Sequence, residues 1–189
     1  MKNPKNSTII ISALIIITAL SRLLPHLPNF TPIGGIALFG AAYFTKKYWA
    51  FIIPFVALWA SDLILNNVIY AQYFDGFVFF SSSFYWTVAA FAAIILIVSN
   101  TKLLNKIKPI NLLGASLTAS IIFFLVSNFG VWMSMYPKTF AGLMTCYTAG
   151  IPFFWNTLAG DLFYVTTLFG IFEVYKYYSN KSEWSYNNL

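Results

Sequence analysis

An all-α membrane protein, a bundle of about six transmembrane helices, is the fold this sequence predicts, and three observations predict it. Hydrophobic residues make up 59% of the 189-residue chain and charged residues only 8%, too little polar surface to clothe a water-soluble globule. Apolar runs recur along the whole length at the spacing that spans of ~20 residues require. The lysines stand singly or in pairs beside those runs, where they act as topology signals, so the net charge of +6 does not point to nucleic acid. No linker interrupts the series, which predicts one transmembrane domain over 1–178 and a polar, disordered cytoplasmic tail over 179–189.

The spans fall at about 7–24, 32–44, 48–68, 83–99, 112–133 and 153–175. Lys2 and Lys5 precede the first run, which extends from Thr8 to Leu24 and so exceeds a typical signal-peptide core. It reads as a retained span, the alternative being cleavage at Ala19-Leu20-Ser21. Next comes the stretch from Arg22 to Gly35, which holds the chain's single arginine and single histidine, Pro25, Pro28 and Pro32, and a glycine pair. Its prolines hold the backbone extended until Thr31 can cap a second helix, with Pro32 at its first position. Gly34, Ala37 and Ala41 then form a small-residue stripe for close helix approach. This helix is short: at ~1.5 Å per residue it rises only ~20 Å against a ~30 Å hydrocarbon core, so the extended segment must supply the rest of the crossing. Such a broken helix lines a polar cavity in many carriers; the plainer alternative is a rigid surface hairpin between two spans.

Further along, Pro54 should kink the third span. Asn111, after Pro109, is expected to cap the fifth, and Phe140 to Ala149, between Pro137 and Gly150-Ile151-Pro152, reads as a re-entrant lid or a flat interfacial helix. With six spans and both ends cytoplasmic, nine lysines lie inside, and Arg22 and Lys138 lie outside. A re-entrant second segment would leave five spans and a split of eight to three. The six-span count is favoured.

Two aspartates sit inside spans, Asp62 and Asp161, and a charge there costs ~2.5–3.5 kcal/mol without a partner or a wet cavity. In the six-span arrangement both fall at similar depth in the outer half, with Arg22 as the obvious counter-charge. His26, Asn29, Asn66, Asn128, Trp132, Trp155 and Asn156 fall at the same level. Together these residues suggest an outward-facing small-molecule site with aromatic walls. Two carboxylates against one arginine favour a cationic or zwitterionic solute. The competing reading makes both aspartates structural, pairing with Arg22 and with the amides of the broken second helix. Taken singly, Trp132 and Trp155 read as interfacial belt residues, and His26 as a wedge in a proline turn rather than a metal ligand. Cys146 stands alone and reads as a small hydrophobe before a soft metal ligand.

No Cys/His pairing, HExxH, GxSxG or phosphate-cradling glycine loop is present, so no enzyme, cofactor or metal site is expected, nor a built-in energy source. The stretch from Arg22 to Phe44, with its Pro-His-x-Pro-Asn-Phe-x-Pro-x-Gly core, resembles an uncharacterised family of small bacterial multi-pass proteins described as transport proteins. Ser61-Asp62-Leu63, Ser127-Asn128-Phe129-Gly130-Val131-Trp132 and Ile151-Pro152-Phe153-Phe154-Trp155-Asn156-Thr157 through Gly160-Asp161-Leu162 carry the same resemblance over nearly the whole chain. In size and layout the chain is also similar to the substrate-binding S components of energy-coupling factor transporters. That likeness implies a vitamin-like solute bound near the outer face, and a transmembrane coupling protein with two ATPases as partners. Those S components often carry Ala-x-x-x-Ala on the first helix; the counterpart here is Thr8-x-x-x-Ser12. The alternative function is a structural subunit of a larger inner-membrane complex.

The orientation has a direct test. With Cys146 replaced by alanine, an Asn3→Cys variant is expected to resist a membrane-impermeant thiol reagent on intact cells and to react after permeabilisation. Labelling from outside would overturn the six-span arrangement.

Overall fold

The structure is a computed structural model that describes residues 4–186. Six α-helices and no strand occur among the described residues: α1 (Pro4–Leu20), α2 (Ile33–Tyr43), α3 (Lys47–Ile64), α4 (Ser82–Ser99), α5 (Pro109–Met135) and α6 (Phe140–Tyr186). Tyr48–Ile69, Ser82–Ser99, Pro109–Met135 and Phe140–Ser179 are each long and apolar enough to cross a membrane, the mark of a membrane protein. Large apolar side chains such as Ile17, Leu96, Leu125 and Phe163 cover the outside of the bundle.

α2 is the hub. Every residue from Ile33 to Gly40 is buried, and the helix touches all five others. A helix apolar on all sides can only be stable when surrounded. Its direction is fixed by α6, which runs parallel to it: Gly34 meets Asp161, Phe39 stacks edge-on to Phe169 at 5.4 Å, and the Tyr43 hydroxyl donates to Glu173 at 2.5 Å. On its opposite side Gly40 lies where a Cβ would stand 3.2 Å from the Ala50 carbonyl, the acceptor that Pro54 leaves without its helical partner. Here the glycine lets α2 close on the carbonyl that Pro54 leaves bare.

The remaining helices bury ordinary helical stripes: Ile11, Ile15 and Ala19 on α1, Phe84, Phe91, Ile94 and Val98 on α4, and Val165, Leu168, Phe169 and Phe172 on α6. α5 buries mostly small residues, among them Ala115, Ala119, Ser120 and Gly130, so α4 and α6 pack closely on both its flanks.

Between α1 and α2 the chain is helix-free from Leu24 to Pro32, after a 3₁₀ turn over Ser21–Leu23. The Phe30 amide donates to the Leu27 carbonyl at 3.0 Å, with Pro28 second and Asn29 third in the turn at φ 62°. Proline then a left-handed residue is the pattern of a type II turn, and asparagine is one of the few side chains that tolerates the second position. The turn is fastened to α6: Asn156 donates to the Pro28 carbonyl at 2.9 Å, Phe30 packs on Phe163 and Tyr164, and Gly160 leaves room for the Thr31 backbone.

Four local expectations are corrected. Pro32, not Thr31, is the N-cap of α2, and no side chain of its own segment caps it. α5 begins at Pro109 with Lys108 as N-cap, while Asn111 donates back to the Lys106 carbonyl at 2.9 Å. The stretch expected as a lid is helical and runs unbroken through Pro152 into the last span. Thr139 starts it by accepting from the Gly142 amide at 3.1 Å, and the Tyr147 hydroxyl and Cys146 thiol donate to the carbonyls of Leu125 and Asn128 on α5. Finally, the tail is helical as far as Tyr186; 187–189 lie outside the described residues, as does the start of the N-terminal segment.

A Cβ on Gly34 would stand 2.6 Å from the Asp161 carboxyl carbon, whereas Gly170 has nothing within 4 Å. Gly34→Ala is expected to destabilise the protein by about 1–3 kcal/mol in a detergent thermal melt. Gly170→Ala should leave the melting temperature unchanged or slightly raised.

Candidate functional site

The polar residues singled out from the sequence separate into two hydrogen-bonded clusters and one open cleft. In the first cluster Arg22 leaves the turn after α1 and reaches α3. Its guanidinium donates to Asp62 Oδ1 at 2.8 Å, to the Ser61 hydroxyl at 2.8 Å and to the Leu58 carbonyl at 3.3 Å. Asn66 and Ser81 approach Asp62 Oδ2 at 3.5 and 3.4 Å, long and weak contacts. Ser81 also caps α4, and Asn67 exchanges both backbone bonds of Val78, so the connection from α3 to α4 is folded back onto this cluster. The Arg22 and Asp62 side chains are only 11% and 14% exposed, which leaves little room for a solute between them.

The second cluster centres on Asp161, 1% exposed in the interior of α6. α6 begins at Phe140, so Asp161 stands well inside the helix rather than near its start. Its Oδ2 accepts from the Ser120 hydroxyl of α5 at 2.6 Å. The carboxyl lies against the Gly34 and Gly35 amides in the first turn of α2, and Oδ1 has no partner of good geometry. A carboxylate from α6 thus stands where the capping side chain of α2 is missing, at the positive end of its dipole.

The third group is a cleft with two lobes sharing Asn29, Asn128 and Val131. One lobe, about 250 Å³, lies between α4 and α5 and is lined by Ser82, Ser83, Trp86, Thr87, Phe123 and Ser127 among others. The other, about 260 Å³, lies between α5 and α6 beside Tyr136, Cys146, Ala149, Gly150 and Phe153. Two glycines set its walls: Gly130 receives the Trp86 indole, where a Cβ would come within 2.6 Å of Cδ2, and Gly150 receives the Asn128 amide. Asn128 donates to the Phe124 carbonyl at 2.8 Å, which holds its other amide atom, Oδ1, toward Gly150. The side chains of Asn29, Ser82 and Thr87 have no hydrogen-bond partner among the described residues. Among the described residues no charged side chain lines either lobe.

The other expected residues lie outside the cleft lining. His26 is exposed, with Nδ1 2.9 Å from the Leu27 carbonyl. Trp132 donates to the Pro137 carbonyl at 2.9 Å with the Lys138 ammonium over its ring at 5.8 Å, closing the α5–α6 turn. Trp155 is 63% exposed, and Asn156 is spent on the Pro28 carbonyl. Ser82, Ser83, Trp86, Thr87 and Ser120 were missed by sequence reasoning. The run Ser81-Ser82-Ser83 followed by Trp86-Thr87 at the head of α4 was the available signal for the first four.

The family model that matches this chain spans residues 2–183, nearly all of it. The chain belongs to DUF6580, a family of unknown function. No curated protein and no solved structure matches it.

The Arg22–Asp62 pair makes a measurable claim about this member of the family. Breaking a buried pair strands a charge, so Arg22→Met is expected to cost about 3–5 kcal/mol. Adding Asp62→Leu should recover most of that loss, because no unpaired charge remains. A double-mutant cycle in detergent unfolding measures both; equal loss in the single and double variants would exclude the pairing as the cause.

Proposed function

We propose that this protein binds a small polar solute for membrane transport, in the two-lobed cleft that Asn29 and Asn128 share. The observation that carries this reading is the set of uncommitted hydrogen-bonding groups facing one cavity: Asn29, Ser82, Thr87 and the Asn128 Oδ1. Asn29 and Ser82 are exposed and Thr87 and Asn128 half-buried, so a solute entering the cleft can replace water on all four.

In this reading all six helices cross a bacterial inner membrane, with α2 as a half-length span completed by the non-helical segment before it. Eleven helical residues rise only ~16 Å. Both termini lie in the cytoplasm, as the lysine distribution favours, and the cleft opens to the outer side with Arg22 and Lys138. The resemblance to S components of energy-coupling factor transporters supports the same picture: a solute taken from outside, and energy from a coupling protein with ATPases. Arg22, Asp62, Asp161 and Asn156 then hold the walls and do not touch the solute.

Native mass spectrometry of protein purified in mild detergent from its own membranes tests the reading. A stoichiometric small-molecule adduct is expected, lost in Asn128→Leu, with or without co-purifying ATPases. A stoichiometric non-ATPase protein partner and no adduct would overturn it in favour of a structural subunit.

A further inference from the structure

We infer that the cleft is built for an uncharged solute that carries both hydrogen-bond donors and acceptors, of the amide or polyol class. The inference rests on the cleft being the binding site and goes beyond it to the class of ligand.

The charge balance of the bundle excludes the cation or zwitterion that composition alone suggests. Asp62 is neutralised by Arg22 at 2.8 Å, and Asp161 is turned to Ser120 and to the start of α2, away from the lobes' linings. Lys138, at the far end of α5, has its ammonium held by the carbonyls of Trp132 and Tyr136 at 2.8 and 3.0 Å. What remains to face a solute is neutral: two carboxamides, the Ser82 and Thr87 hydroxyls, and the apolar surfaces of Trp86, Phe123 and Val131. A full charge brought against this lining would give up part of its hydration and gain no counter-charge, a loss that neutral hydrogen bonds do not return. A neutral solute loses far less and is repaid bond for bond. The Asn128 Oδ1 accepts, the hydroxyls donate and accept, and the Asn29 carboxamide does both, so the matching solute must present both kinds of group. Each lobe is at or below the lower end of ordinary ligand pockets, which sets the solute as small.

Equilibrium dialysis of the full-length protein in detergent against the low-molecular-weight fraction of yeast extract tests this, because that mixture offers neutral, cationic, anionic and zwitterionic solutes together. Wild type is compared by mass spectrometry with Thr87→Val and with Ser82→Ala/Thr87→Val, which remove cleft hydroxyls but spare the Ser81 cap; their melting temperatures report folding. The expected result is enrichment of one or more uncharged solutes, reduced roughly tenfold in the double variant, as loss of two neutral hydrogen bonds implies. Enrichment of a charged or zwitterionic solute with the same dependence on Ser82 and Thr87 would overturn the neutral class and leave the cleft as the site. No enrichment, or enrichment indifferent to both substitutions in folded protein, would overturn the cleft itself.

Discussion

The start of a helix inside an apolar bundle is the constraint on which this structure turns. The first amides of α2 have no partner in their own helix, and its N-cap is Pro32, whose side chain offers no acceptor. Gly34 and Gly35 are buried, away from solvent. Asp161 answers that need from a different helix. The positive end of the α2 dipole and the Ser120 hydroxyl in turn lower the cost of placing a carboxyl at that depth. The arrangement requires glycine at 34, because any side chain would occupy the carboxyl's place. One interaction thereby fixes three elements, α2, α5 and α6, in mutual register.

Arg22 and Asp62 perform the corresponding task on the other side of the bundle, joining the end of α1 to the end of α3 and, through Ser81, to the start of α4. In both clusters the charged groups are spent on holding backbone that departs from regular helix. α3 itself loosens here into a wider turn over Leu65–Ile69, and Asn67 fastens the chain that follows. Neither carboxyl lines the cleft. The cleft lining is accordingly uncharged, because the charges that could have faced it are already engaged.

Much of the architecture was legible in the sequence. The six helices follow from apolar runs punctuated by proline and lysine, and the shortness of α2 follows from Pro25, Pro28 and Pro32, which delay its start. The early start of α6 was not legible, because Pro137 and Pro152 both read as boundaries, while the decisive cap is the single hydroxyl of Thr139. Proline at 152 is tolerated since the packed face of α5 supports the helix on both sides of it. The site was half legible. Asn29 and Asn128 stood out as polar residues near apolar spans, yet Ser82 and Thr87 look like ordinary helix-start residues until α4 and α5 are placed face to face. Sequence distance also hid that Asp62 and Asp161 belong to separate clusters: similar depth is no guide to the side of a bundle a residue faces.

The cleft and the Asp161 cluster are mechanically one object. Asn29 owes its position to α6, since Asn156 holds the turn at Pro28, Phe30 packs on Phe163 and Tyr164, and Gly160 seats Thr31. Asn128 is carried by α5 and Ser82 and Thr87 by α4. The separation between Asn29 and the other lining groups is therefore the separation between α6 and the α4–α5 pair. Ser120 and Asp161 are one polar link between α5 and α6, beside those of Tyr147 to Leu125 and Cys146 to Asn128, and Ser120 lies one turn along α5 from Phe123 in the cleft lining. A shift of α6 against α5 would therefore change the Asn29–Asn128 separation and the Ser120–Asp161 bond together.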